Sequence, residues 1–499
     1  MSSGPNREAR RVPGRVRTRR ARIAAGIAVL VAIVVILVAV VGSRGEIVHP
    51  FAYSAGEQAA FEARAAAGES HLLYADSPGG VLASARRVAG LHAPIEAAAT
   101  TAGVDPSLVE AIVLLESGGR SDAMAEGDPA GAAGLTQILP QTGRDLLGMR
   151  IDVSASRRLT RQIAAARKLH QSSLIARLER QRRRIDQRFD PAAALAATGR
   201  YLAFALPKFG RSDFAVTSYH MGVGNLADVI RAYAGPGEKR LAAHVVAERK
   251  LTYAQLYFDS TPLHHPGAYR LLAALGDNSD TYYWRVLAAR DIMALYRTNP
   301  GELRRRAQLE TAYGAGGAVL RPPGSTEVFG DPATLRRARS TGALLPVPDE
   351  PGKRHFTLDP AVAAQAHQLG LDPSLYSALR PEALGVLYYI ADRVHAISGV
   401  QNPLWVATTV RDSSYESALA NRRLAPPGYS LYTTGYSFNI ERRYADHAQA
   451  EAFQTVLNRL QALDVIAWER RPDVIHITVS DEARELTPLA HGASLSQDA

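Results

Sequence analysis

Hydrophobic and polar positions fall into three regimes along the chain. From Ile23 to Ser43 no residue is charged, and this run of Ala, Val, Ile and Leu is 21 residues long. As a helix it would reach roughly 31 Å, enough to cross a bilayer. A soluble core helix of that length would show a polar face. A cleaved leader would have a shorter apolar region and a small-residue cleavage site, so the pattern predicts an uncleaved anchor. In the second regime, from about His92, apolar residues recur at helical spacing. Leu108, Val109, Ile112, Val113 and Leu115 predict a helix that starts at Pro106, is capped by Asp105 and ends at Gly118-Gly119. Residues 150 to 188 alternate basic and apolar positions as one long charged helix or a helical pair would. Phe189-Asp190-Pro191 then restarts an Ala-rich helix to Phe209, another helix follows from Ser212, and helical signals continue over Leu251 to Leu256 and Tyr282 to Tyr296. In the third regime Gly and Pro accumulate from Gly314 to Pro351. Beyond them Pro381 to Ile397 reads as a helix, and Leu404 to Val410 and Val474 to Val479 read as strands.

These regimes divide the chain into a basic tail (1–22), an anchor (23–43), a stalk of weak helical character (44–91) and a helical domain (92–300) with a basic helical insertion (150–188). A linker (301–355), a smaller α+β domain (356–485) and a tail (486–499) follow. The eight arginines before the apolar run, against one Glu8, place the amino terminus in the cytoplasm and everything past Arg44 outside the cell membrane. Activity there must work without cytoplasmic ATP or NADH.

The chain has no cysteine, which excludes disulfides, thiolate metal sites and cysteine nucleophiles; a metal would need His or carboxylate ligands. The net charge of +10 is local. The tail contributes +7 and residues 150–188, with twelve bases and three acids, contribute +9, leaving the rest of the chain acidic by six units. That distribution describes two patches and no nucleic-acid-binding domain.

Glu116 stands out chemically. Four residues after Ile112, it falls on or beside the apolar stripe of its helix, where burial penalises the ionised form and raises the pKa. A general acid working near neutral pH needs such a carboxyl; the alternative is a glutamate at a helix end that reaches solvent past the glycines. Four separated segments then stand in order: Glu116-Ser117; Gly134-Leu135-Thr136-Gln137-Ile138; Phe189-Asp190-Pro191; and Ser218-Tyr219-His220-Met221-Gly222-Val223-Gly224-Asn225, with Asp277-Asn278-Ser279 and Tyr282 downstream. Over about residues 92 to 300 this series resembles the Slt-type lytic transglycosylases. The resemblance implies a lysozyme-like, mainly helical fold whose groove binds alternating N-acetylglucosamine and N-acetylmuramic acid. It implies that Glu116 is the catalytic residue and that Ser117, Gln137, Tyr219 and His220 contact the saccharide. Thr136 departs from the methionine common in the family, and His220 from its asparagine. The mechanism implied has Glu116 protonate the bridging oxygen and, as a carboxylate, take the proton of the C6 hydroxyl that closes a 1,6-anhydro ring; most glycosidases use two carboxylates. Asp122, Glu126 and Asp128 read as solvated loop acids, with water activation as the alternative. The basic insertion reads as a solvated charged helix or an arm toward anionic polymers and headgroups.

In the C-terminal part, Ala407 to Asp412, Ser430 to Ile440 and Asp473-Val474-Ile475-His476 resemble the zinc D-alanyl-D-alanine carboxypeptidases over roughly residues 380 to 482. The family's first His ligand is replaced by Tyr432 and its Asp ligand by Asn439, leaving Asp473 and His476. A phenol and an amide lose donor strength and charge, so no zinc and no other cofactor is expected. Arg411 is a candidate contact for stem peptides; the alternative is that Arg411 and His476 only satisfy local hydrogen bonds. The expected fold class is therefore multidomain: one transmembrane helix, a mainly α lysozyme-like domain and a smaller α+β, degenerate peptidase-like domain. The expected function is a peptidoglycan lytic transglycosylase. The alternatives are a muramidase hydrolase, a catalytically silent peptidoglycan-binding or assembly protein, and a metallopeptidase. Glycan strands, stem peptides, the membrane and cell-wall or division proteins are the expected partners, and nucleic acid is not.

Overall fold

The computed structural model describes residues 47–313 and 316–496. It is mainly helical, and one part of the expected fold class is corrected. Among the described residues no helix is long and apolar enough to cross a membrane. The 23–43 run on which the transmembrane expectation and membrane partnership rested lies outside the described residues, as does the basic tail.

The first core is built from helices. Helices α1 (Gln58–Asp76) and α2 (Val81–Ala89) lie within the segment read as a stalk. Phe61, Ala65, Ala66, Leu73 and Tyr74 of α1 are buried, so this stretch is part of the packed protein. Next come α3 (His92–Ala102) and α4 (Pro106–Ser117). The predicted cap of α4 is formed: Asp105 accepts from the Ser107 N–H at 2.8 Å, and Gly118 ends the helix in the left-handed region at φ 57°. The basic insertion is a hairpin of α5 (Val153–Lys168) and α6 (Ser172–Ile185), with a small core of Ile163, Ala166 and Leu178. Then follow α7 (Pro191–Phe209), α8 (Ser212–Met221), α9 (Val223–Ala234), α10 (Ala242–Arg249), α11 (Tyr253–Asp259), α12 (Pro266–Ala274) and α13 (Tyr282–Thr298). Helix α13 runs through the centre, packing on α1 and α4, and its Trp284 is fully buried among Tyr253, Tyr257 and Phe258.

Residues read as a linker are also ordered into helices: α14 (Pro300–Tyr313) and α15 (Pro332–Ser340), the latter opened by an Asp331–Thr334 capping box. Phe329, Leu335 and Leu344 are buried with Tyr376 and Val410 in a small core, so the apolar residues scattered between the breakers decide the outcome.

The second large core packs α16 (Pro381–Ser398) and α17 (His447–Ala462) beside a five-stranded sheet. Its strands are β1 (Phe356–Leu358), β2 (Leu404–Thr408), β3 (Ser437–Glu441), β4 (Ile466–Arg470) and β5 (Val474–Val479). They lie in the order β1-β2-β3-β5-β4, with β1 and β2 parallel and the other pairs antiparallel. The register sets Thr408 against Asn439 and Asn439 against His476, which aligns the three residues across neighbouring strands.

Candidate active site

Glu116 lies in the last turn of α4, beyond the buried Ile112 and Val113, and is itself half-buried. It lines a cavity of about 410 Å³ together with Gln137, Leu139, Tyr219, His220 and Asp277. Its Oε1 accepts a hydrogen bond from the Tyr282 hydroxyl at 2.7 Å. Burial lifts its pKa from 4.5 to about 7, against the Tyr282 hydrogen bond and the Arg285 charge, both of which favour the carboxylate. A carboxyl that titrates near neutrality can both give and take a proton.

The wall beside it is fixed by polar contacts between helices. The Tyr219 hydroxyl donates to the Thr136 carbonyl at 2.9 Å and lies 3.2 Å from Thr198 Oγ1, which in turn donates to Thr136 Oγ1 at 2.9 Å. Thr136, where the sequence departs from the family pattern, is thus a buried member of a hydroxyl network. Tyr282 stacks on His220, ring centroids 5.1 Å apart, and lies nearly parallel to Tyr219. Burial lowers the His220 pKa, and the nearby Arg285 charge adds to the effect, whereas Asp277 opposes it. Its Nδ1 lies 2.8 Å from Ser279 Oγ.

The turn that presents Gln137 depends on a glycine. Gly134 has φ 82°, and a Cβ there would stand 1.8 Å from the Arg188 carbonyl oxygen, so no other residue fits. Gln137 itself adopts φ 48°, with Nε2 donating back to the Gly134 carbonyl at 2.8 Å. Ser117 is placed differently from the expectation that it contacts saccharide. It is buried and not among the cavity-lining residues, and its Oγ donates to the Leu135 carbonyl at 2.7 Å, tying α4 to the Gly134–Ile138 turn.

The loop acids and the basic insertion explain each other. Arg157 makes two hydrogen bonds to Asp128, at 2.8 and 2.6 Å, and Arg167 reaches Asp122 at 3.1 Å. The Arg157 partner holds the Asp128 carboxyl down to about 2. Below them Asp186 and Arg188 form a fully buried pair at 2.7 Å, and Arg188 also donates to the carbonyls of Pro129 and Gly131. The hairpin is therefore clamped to the loop preceding the Gln137 turn.

Thr198, Tyr201 and Arg285 belong to this site but were not identified from the sequence. Thr198 and Tyr201 lie in an Ala-rich helix whose sequence gives no sign of which face meets the groove, and Arg285 is one of many arginines. The spacing Tyr282-x-x-Arg285, one turn of a helix, was the signal available.

Arg411 lies outside this groove, in the α+β part. Its guanidinium hydrogen-bonds Glu416 and Gln365, each at 3.2 Å, and sits 4.8 Å from the Tyr432 ring centre. Tyr432 donates to Asn439 Oδ1 at 2.9 Å, and His476 Nδ1 lies 3.0 Å from the same oxygen. Burial and the charges of Arg471 and Arg411 push the His476 pKa down to about 3. Asp473 is exposed on the turn before β5. The donors at this position satisfy one another.

A helical domain with a neutral-range carboxyl set in an aromatic and hydroxyl-lined groove is the class of site that this geometry defines. Residues 93–174 match the family model of the Transglycosylase SLT domain. The chain thus carries a domain of a family that acts on peptidoglycan, of lytic transglycosylase or lysozyme-like type. The matched segment includes Glu116 and Gln137 and ends before Tyr219, His220 and Tyr282. No curated protein matches the chain.

Proposed function

We propose that the protein is a lytic transglycosylase that cuts the β-1,4 bond between N-acetylmuramic acid and N-acetylglucosamine and leaves a 1,6-anhydro end. The observation that carries this reading is the Glu116 carboxyl: half-buried in the groove, raised to about 7 and held by a single tyrosine hydroxyl. Protonated, it donates to the bridging oxygen as the bond to C1 breaks, and the 2-acetamido group of the muramoyl sugar supports the positive charge. As a carboxylate it accepts the C6 hydroxyl proton while that oxygen bonds to C1. No water is consumed and the carboxyl returns to its starting state. Tyr282 orients the carboxyl, Tyr219 and His220 form the wall beside it, and Gln137 is presented to the sugar. A peptidoglycan substrate supports the reading that this groove works outside the cytoplasm.

Mass spectrometry of peptidoglycan treated with the protein tests the reading. Anhydromuramoyl ends that vanish with Glu116→Gln are expected. A second reading, a muramidase, is favoured by Asp277, a further carboxylate in the cavity. It would give reducing ends and lose them with Asp277→Asn. Asp277 Oδ1 already accepts from the Ser279 N–H at 3.1 Å, a turn-forming role that supports the one-carboxylate reading. We further propose that the α+β part is a degenerate peptidase-like module that holds stem peptides through Arg411. Loss of muropeptide binding in Arg411→Ala, with glycan cutting retained, is the expected result.

A further inference from the structure

The loop joining α11 to α12 reads Asp259-Ser260-Thr261-Pro262-Leu263-His264-His265-Pro266. It brings two imidazoles and a carboxylate to one place: one donor atom from each of Asp259, His264 and His265 lies within 4.8 Å of the other two. Small side-chain rotations would close this to the roughly 3.3 Å ligand–ligand spacing of a tetrahedral zinc site.

Each donor is already oriented by a second contact. Tyr233 donates to Asp259 Oδ2 at 2.7 Å. His264 Nδ1 meets the Asp259 backbone carbonyl at 3.2 Å, and the His265 ring is stacked on that of Tyr233, centroids 4.0 Å apart. A His264 Nδ1–H donated to that carbonyl leaves Nε2 as a lone-pair donor, and stacking fixes the plane of the His265 ring, which is how protein surroundings prepare histidines for a metal. The loop is closed on itself, with the Thr261 N–H donating to the His264 carbonyl at 2.7 Å and the His264 N–H to Thr261 Oγ1 at 2.9 Å. His264 is exposed, so a bound ion would keep a position open to water.

We propose that Asp259, His264 and His265 bind one first-row divalent cation, zinc being the ion that two imidazoles, one carboxylate and no thiolate suit. The ion staples the α11–α12 loop where it meets the second core. There Arg459 of α17 donates to the carbonyls of Tyr257 and Ser260, beside a cavity of about 230 Å³ lined by Phe51, Tyr389 and Arg393. This site is separate from the glycan groove and from the Tyr432–Asn439–His476 cluster, and its test does not use glycan cleavage.

Chelator-stripped full-length protein, titrated with zinc chloride in a calorimeter, should bind one zinc per chain. His264→Ala and His265→Ala should each weaken binding more than tenfold, and Asp259→Asn, which keeps an acceptor for Tyr233, should also weaken it. His476→Ala should bind as the parent does. Zinc should raise the melting temperature of the parent and leave that of the two histidine variants unmoved. Absence of zinc binding, or equal binding by the parent and both histidine variants, would overturn the proposal.

Discussion

At the scale of single residues, the balance at Glu116 is between burial, which favours the neutral acid, and two groups that favour the carboxylate, Tyr282 and Arg285. In the proposed reaction the acid must be protonated for bond cleavage, so kcat/KM on glycan strands should fall as pH rises through about 7. Tyr282→Phe removes a hydrogen bond that stabilises the carboxylate, so this falling limb should move to higher pH; a rate–pH profile reads it directly. The same shift bears on stability. Between pH 4.5 and about 7 the folded state keeps a proton that the unfolded state releases, so this group's contribution falls as pH rises through that window. Glu116→Gln should therefore be inactive yet more stable than the parent at pH 8, by about 1–2 kcal/mol once the water in the groove is taken into account, as denaturant midpoints would show. Glu116 was legible in the sequence because an acid on an apolar stripe breaks a pattern. The inward turn of Ser117 was not, since a serine at a helix end reads the same whether it faces a groove or a neighbouring carbonyl.

At the scale of elements, the helices with explicit stop and start signals were the legible ones. Asp105-Pro106 to Gly118 delimits α4 as its caps predict, and α7 runs from Pro191 to Phe209 as read from the Phe189-Asp190-Pro191 restart. Helix α1 was not legible in this way. Its sequence, rich in Ala and broken by Gly68, has little contrast between faces, and contact with α13 and α17 decides which side is buried. The insertion was legible as helical but not in how it is held. Its net charge points to solvent or to anionic partners, whereas several of its arginines are spent on Asp122, Asp128 and Asp186. These pairs differ in kind, and the difference is measurable. Arg157–Asp128 is exposed and screened by solvent, so Arg157→Ala should barely move the denaturant midpoint. Asp186→Ala leaves the Arg188 guanidinium buried and unpaired, which should cost about 3–5 kcal/mol in denaturant unfolding. It should also loosen the Gly134–Ile138 turn, because Arg188 is bonded to the loop before it. Similar losses in the two variants would show that the hairpin is held by its general charge and not by the buried clamp.

At the scale of the whole molecule, the two large cores meet along α1, which packs on α13 on one side and on α17 on the other. Phe61 near its start belongs to the second core, and Ala65, Ala66 and Leu73 belong to the first. The approach is tight at Gly68, where a Cβ would stand 1.8 Å from the Gln461 carbonyl oxygen, a backbone atom that cannot swing aside. Ionisable groups gather at the same seam: His71 is paired with Glu310 at 2.6 Å, and burial raises Glu69 to about 7 and Asp464 to about 6. Separating α1 from α17 would therefore release packing and hydrate these groups at once. Gly68→Ala forces that separation, and overpacking of this kind costs about 1–3 kcal/mol. Because the strain falls on the joint and not within either core, the expected calorimetric result is a split of the unfolding transition, with one part melting earlier than the other. Gly56→Ala, whose new Cβ would meet only Ser54 Oγ at 4.0 Å, should leave the transition within about 0.5 kcal/mol of the parent. A single, uniformly lowered transition in Gly68→Ala would mean that the two cores unfold as one body and that contacts other than α1 hold them together.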